Sequence, residues 1–158
     1  MRKIIFNASP QPKADNLIPD NNLNLEQIAT VLISSEAADF PIENAFTNDT
    51  PSGWKAGTPG IQTIRLVFDE LIDVSRIILV FEEKLNQRTQ EFTLKWSCDN
   101  DVFNEIVRQQ YHFSPPDTIT EIEDYRVKLS AIKSLELILT PDISNRDMIA
   151  NLLKLHVY

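Results

Sequence analysis

Side chains able to do covalent chemistry are few here and badly spaced for it. His112 and His156 are the only histidines and Cys98 the only cysteine in 158 residues. A catalytic nucleophile needs a base within reach, and Cys98, after Trp96 and Ser97, has no positively charged neighbour to stabilise a thiolate. Glu82 and Glu83 are adjacent, so on a strand they point to opposite faces and make no acid–base pair. Metal spacings of the His-x-x-His, Cys-x-x-Cys or His-Glu-x-x-His kind are absent. The glycines Gly53, Gly57 and Gly60 fit neither a P-loop nor a dinucleotide fingerprint. The expectation is a protein that is not an enzyme and needs no cofactor.

Groups suited to recognition are more plentiful. The stretch "FEEKLNQRTQEF" strings Glu83, Lys84, Asn86, Gln87, Arg88 and Gln90 between two apolar runs. A solvated hairpin loop is the ordinary meaning of such a run; a set of planar donors and acceptors for a bound molecule is the other. "GWKAGTPG" (53–60) holds every glycine of the chain around Trp54 and Lys55. Glycine permits sharp turns and close backbone approach, so this loop either has an unusual shape or carries a ligand.

Composition narrows the partners. With 42% hydrophobic and 24% charged residues the chain fits a single domain, residues 1–158, with its own core. A formal charge of −8 opposes phosphate backbones, anionic lipid and acidic polysaccharides. A lone cysteine cannot form an intramolecular disulfide. The opening "MRKIIFNASPQPKADN" has an apolar run shorter than a signal peptide requires, and no stretch reaches membrane-spanning length, so a cytoplasmic location is expected.

The elements that must hold these groups read as strands. Phe92, Leu94 and Trp96 alternate with Glu91, Thr93, Lys95 and Ser97, and the same period of two recurs in "DYRVKLS", "SLELILT" and the terminal "LLKLHVY". "IQTIRLVF" (61–68) and "RIILVFE" (76–82) are apolar on both faces, as strands covered on both sides are, and "DELIDVS" reads as a short acidic connection between them. "FNEIVRQQYHF" (103–113) is a further strand ended by the prolines of "SPPDT". In the first third, "KIIFNAS" and "IATVLISSE" read as strands and "FPIENAFTND" as one helical turn with Pro41 at its first position. Strands recurring every ten to fifteen residues between Asp, Asn, Ser and Pro turns predict an all-β antiparallel sandwich or barrel.

The order of "ISSEAADFPIENAFTNDTPSGWKAGTPGIQTIRLVF", "TQEFTLKWSCDNDVFNEIV" and the terminal "ANLLKLHVY" resembles the discoidin or coagulation-factor C-type family, whose domains are galactose-binding-like jelly rolls. The resemblance spans residues 33–158. It implies a jelly-roll β-sandwich in which Trp54 anchors a loop at one end, either as a core residue or with its indole turned to a ligand. Many members hold calcium near the acidic loop, which here offers Asp49 and Thr50, with a glutamate from the last strand. Lys154 stands where that glutamate is expected and has no lone pair to give. The expectation is therefore that no metal binds, the Lys154 ammonium taking the ion's place.

In sugar-binding members the ligand sits on loops at one end of the sandwich. Loop residues of the right type are Glu36, Asp39, Trp54, Lys55, Glu83, Asn86, Gln87, Arg88, Asn145 and Arg146. The resemblance implies a non-catalytic carbohydrate-binding module with Lys55, Glu83 and Arg88 as its central contacts and Trp54 as a lesser one. The alternative is a module that binds another protein with the same fold. Oligomerisation would let weak sites act together.

Overall fold

The computed structural model describes residues 18–158. "KIIFNAS" lies outside the described residues. The elements are α1 (Leu25–Ile28), β1 (Ala29–Ile33), α2 (Glu43–Phe46), β2 (Trp54–Lys55), β3 (Gln62–Glu82), β4 (Arg88–Ser97), β5 (Asn104–Phe113), β6 (Thr120–Thr140), β7 (Asn151–Leu152) and β8 (Lys154–Val157).

Two long strands organise both layers. The first half of β3 pairs with β1 and with the second half of β6, which pairs in turn with β4, and β4 with β5. The second half of β3 pairs with the first half of β6 on one side and with β8 on the other. All of these pairings are antiparallel. Register shifts between Val67 and Arg76 bend the ribbon so that its halves face each other. Phe81 from the second half meets Phe92 of β4 with ring centroids 5.3 Å apart, and Phe92 meets Tyr125 at 6.5 Å. The fold is an antiparallel jelly-roll sandwich.

"DELIDVS" therefore does not separate two strands; it lies within one. The Asp73 carboxylate accepts the backbone N–H of Ala131 (2.9 Å), and Lys133 Nζ donates to the Phe68 carbonyl (2.6 Å). Ala131 has φ +51°, which marks the bend on the β6 side. "DYRVKLS" and "SLELILT" are likewise parts of the single strand β6.

Burial follows the alternation where one face meets solvent: Gln62, Ile64, Leu66 and Phe68 are buried and the residues between them half-buried. From Ile77 to Phe81 both faces are buried. Ile77, Leu79 and Phe81 join the main core, while Ile78 and Val80 form a smaller one with Ile18, beside Leu153 and Tyr158. All four residues of β8 are buried, so the expected exposed face of the last strand is covered. Residues 18–23 lie across it: Leu23 N–H donates to the Val157 carbonyl (2.8 Å) and the Tyr158 hydroxyl to the Pro19 carbonyl (2.7 Å). The helical turn starts at Glu43, with Ile42 as its N-cap, two residues later than the Pro41 start expected from sequence.

Candidate functional site

A cleft of about 780 Å³ opens at one end of the sandwich. Phe40 and the Pro51–Lys55 stretch form one wall, the β3–β4 loop with Glu83, Leu85 and Asn86 a second, and Met148, Ile149 and Asn151 a third.

The glycines build the first wall. A side chain on Gly53 would collide with the backbone of Leu152 and Leu153, so glycine is what lets this segment lie against the β7–β8 junction. Gly60 has φ +90° and donates its N–H to the Met148 carbonyl (3.0 Å), tying the glycine loop to the third wall. Trp54, between them, is fully buried, and its indole N–H donates to the Ser35 carbonyl (3.1 Å). Of the two readings of Trp54, the buried anchor is the one found.

Lys55 is exposed at the cleft, its Nζ 4.3 Å from the centre of the Phe40 ring. Among the described residues no carboxylate pairs with it within 4.0 Å. Two neighbouring cations are paired: Lys84 with Glu82 (3.6 Å) and Arg88 with Glu83 (2.7 Å).

Glu83 lines the cleft, yet both its oxygens are committed. Oε1 accepts from Arg88 Nε, and Oε2 accepts the N–H groups of Leu85 (3.1 Å) and Asn86 (3.2 Å). Burial, the largest influence on its carboxyl, pushes the pKa up. The Arg88 hydrogen bond, the two loop amides and the Arg88 charge outweigh it and hold the group below its ordinary value.

Arg88 differs most from expectation. It belongs to β4 and not to the loop, and its side chain has no solvent exposure. Nη1 donates to the Pro141 carbonyl (2.6 Å) and Gln90 Oε1 (3.2 Å), and the guanidinium lies 4.7 Å from the Phe113 ring centre. Behind it, Gln90 Nε2 donates to Glu121 Oε1 (3.0 Å), and burial pushes the Glu121 pKa up to about 8, aided by the hydrogen bond to Glu123 and its charge. Arg88 is thus unavailable as a direct contact. Its polar neighbours in sequence imitated a loop, while the Pro141 carbonyl and the Phe113 ring that help fix it lie far along the chain.

Three other loop candidates have partners within the fold, Asn145 Oδ1 accepting the Asp147 N–H (3.0 Å), while Asp39 and Arg146 are exposed. Glu36 Oε1 accepts the Ile42 N–H (2.6 Å), and Gln87 meets His112 (3.1 Å). Asn86 and Asn151 complete the cleft; Asn151, which sequence reasoning missed, comes from the short β7 that pairs with β2.

The acidic loop 44–52 is closed by Lys154. Its Nζ lies 2.9, 2.6, 2.8 and 3.2 Å from the carbonyl oxygens of Asn44, Thr47, Thr50 and Ser52. An ammonium carries three protons, so at least one of them is shared among these four acceptors. Thr50 contributes its carbonyl here, its hydroxyl accepting the Ser52 N–H (3.2 Å), while Asp49 is exposed. His156, two residues along the same strand, is buried, and its pKa is pushed down to about 4, first by burial and then by the Lys154 charge.

No family model and no curated protein matches the sequence. Solved structures do match. CBM32-3 from a family 31 glycoside hydrolase of Clostridium perfringens superposes with a TM-score of 0.62 at 16% identity, over 87% of this chain and 94% of that one. The family 32 module of Clostridium perfringens NanJ, in complex with galactose, gives 0.59 at 13% identity over 82% and 92%. The CBM32 of AlyQ, in complex with 4,5-unsaturated mannuronic acid, gives 0.59 at 15% over 84% and 95%. The fold is the jelly roll that these carbohydrate-binding modules share.

Proposed function

We propose that this protein is a non-catalytic carbohydrate-binding module that receives an uncharged sugar ring in the cleft between Lys55, Asn86 and Ile149, without calcium. The observation that carries the proposal is the cleft's mixed lining. Phe40, Leu85, Met148 and Ile149 offer apolar surface for the C–H side of a sugar ring, and Lys55, Asn86 and Asn151 offer groups for its hydroxyls.

The charge balance argues for a neutral ligand. Lys84 is offset by Glu82 and Glu83 by Arg88, which leaves Lys55 and the exposed Asp147 as opposite charges at the same cleft. Both can make charge-assisted hydrogen bonds to hydroxyls. A polyanion would meet Asp147 and the overall charge of −8. The solved modules with galactose or a mannuronic acid derivative bound show that this fold serves either chemistry in other proteins.

The test is a glycan array carrying neutral galactosides, N-acetylhexosamines and uronate oligosaccharides, run with wild type and Lys55→Ala. Binding to neutral glycans that falls about tenfold or more in Lys55→Ala supports the reading, on the scale expected for a charge-assisted contact. Binding confined to uronates, or no glycan bound while a protein is retained, overturns it.

A further inference from the structure

We propose that Arg88 is the positioning residue of the cleft: one buried guanidinium fastens the β3–β4 loop to the start of the β6–β7 loop, so that the Leu85–Asn86 and Pro141–Ser144 stretches open and close as one unit. The inference rests on the reading of the cleft as the binding site, but its mechanical content does not depend on any ligand.

The contacts run in both directions from the same group. Through Nε, Arg88 holds Glu83, and Glu83 passes the constraint on by accepting the Leu85 and Asn86 amides that shape the second wall. Through Nη1 it holds the Pro141 carbonyl, where the chain leaves β6 for the third wall. The next tie on that side is the Ile143 N–H donating to the Thr89 carbonyl (2.9 Å), one residue from Arg88 itself. A planar guanidinium presents donors in fixed directions, so the Glu83 and Pro141 acceptors must keep one relative placement. Phe113 packs against its plane and restricts its tilt. A lysine has a single donor head and cannot reproduce this geometry.

Binding-site loops are drawn from the less stable parts of a fold, and an unlinked pair would order separately when a ligand arrives. A shared fastening presents both loops already placed, which lowers the ordering cost of binding.

Native-state amide exchange across a urea series tests this in the unmodified chain. The Leu85, Asn86, Ile143 and Ser144 amides are expected to open with one common free energy and urea dependence, below those of Leu94 and Leu137 in the strands. Arg88→Met should then speed all four by about tenfold or more and leave Leu94 and Leu137 unchanged. Glu83→Gln, which keeps the guanidinium, should speed Leu85 and Asn86 alone. Separate openings for the two loops in wild type overturn the proposal, even if Arg88→Met fails to fold. So does an Arg88→Met effect confined to one loop. No sugar enters these measurements, so their failure leaves the cleft reading standing; that reading falls instead with the Lys55→Ala result.

Discussion

The Nζ of Lys154 lies 2.8 Å from the carbonyl oxygen of Thr50, 104 residues earlier in the chain. With Asn44, Thr47 and Ser52 it makes the last strand the fastening of the loop that leads into the Pro51–Lys55 wall of the cleft. Lys154→Met should leave four inward carbonyls without their donor and cost about 3 kcal/mol or more. For a chain of this size that is a fall of roughly 10 °C in melting temperature, read by calorimetry.

Calcium should not stabilise the wild-type protein. A divalent ion entering this cluster would meet the ammonium charge at short range, and ligation to the native state always raises its stability. Melting curves in millimolar calcium and in EDTA are expected to superpose. A rise of several degrees with calcium would contradict the assignment of Lys154 as the resident cation.

Gly53→Ala is expected to be costly although the change is one methyl group. The added carbon would meet the backbone of Leu152 and Leu153, and backbone cannot step aside as the end of a side chain can. A loss of about 2–3 kcal/mol is expected from such overpacking. Urea unfolding checks it, and a loss below 0.5 kcal/mol, roughly the effect of an ordinary surface substitution, would contradict it.

Stability should depend on pH through two buried groups of opposite sense. The folded pKa of Glu121 stands at about 8, above its unfolded value, so its contribution is complete at low pH and is lost as pH rises through about 8. His156, at about 4, lies below its unfolded value, and its contribution is lost as pH falls from about 6.5 toward 4. The trends oppose each other in mildly acidic solution. Above pH 6.5 that of Glu121 acts alone, and the melting temperature should fall toward pH 8.5. Glu121→Gln should abolish that alkaline fall and keep the acid limb; an unchanged alkaline fall in the variant would contradict the assignment.

The strands were legible because burying one face writes a period of two into the residues, as in half-buried Tyr125, Val127 and Leu129 with exposed Arg126 and Lys128 between them; in β4 the register shift at Leu94 and Lys95 breaks it, leaving Thr93 and Ser97 buried and Trp96 half-buried. The length of β3 and β6 was not, because the bend that joins their halves depends on Asp73 meeting Ala131 from another strand. Lys154 was placed by the family resemblance, which expects a carboxylate at that point of the last strand; the carbonyls around it became visible only in the fold. Arg88 was placed in the loop beside Glu83; Glu83 does line the cleft, while Arg88 lies buried in β4. In sequence they are two charged residues of a polar run, and only the fold brings Pro141 and Phe113 around the guanidinium and turns an apparent loop cation into a buried tie. Asn151 gave no signal at all, because what matters is the pairing of two strands of two residues each.

In the proposed reading a sugar sits in the cleft walled by Lys55, Asn86 and Ile149. Mapping amide chemical shifts during titration with galactose, N-acetylgalactosamine and galacturonate tests it most directly. Saturable shifts are expected at Lys55, Asn86, Ile149 and Asn151 with a neutral sugar and none with galacturonate; shifts clustered on the outer edge of β5, or along β1, would rule out the cleft as the sugar site.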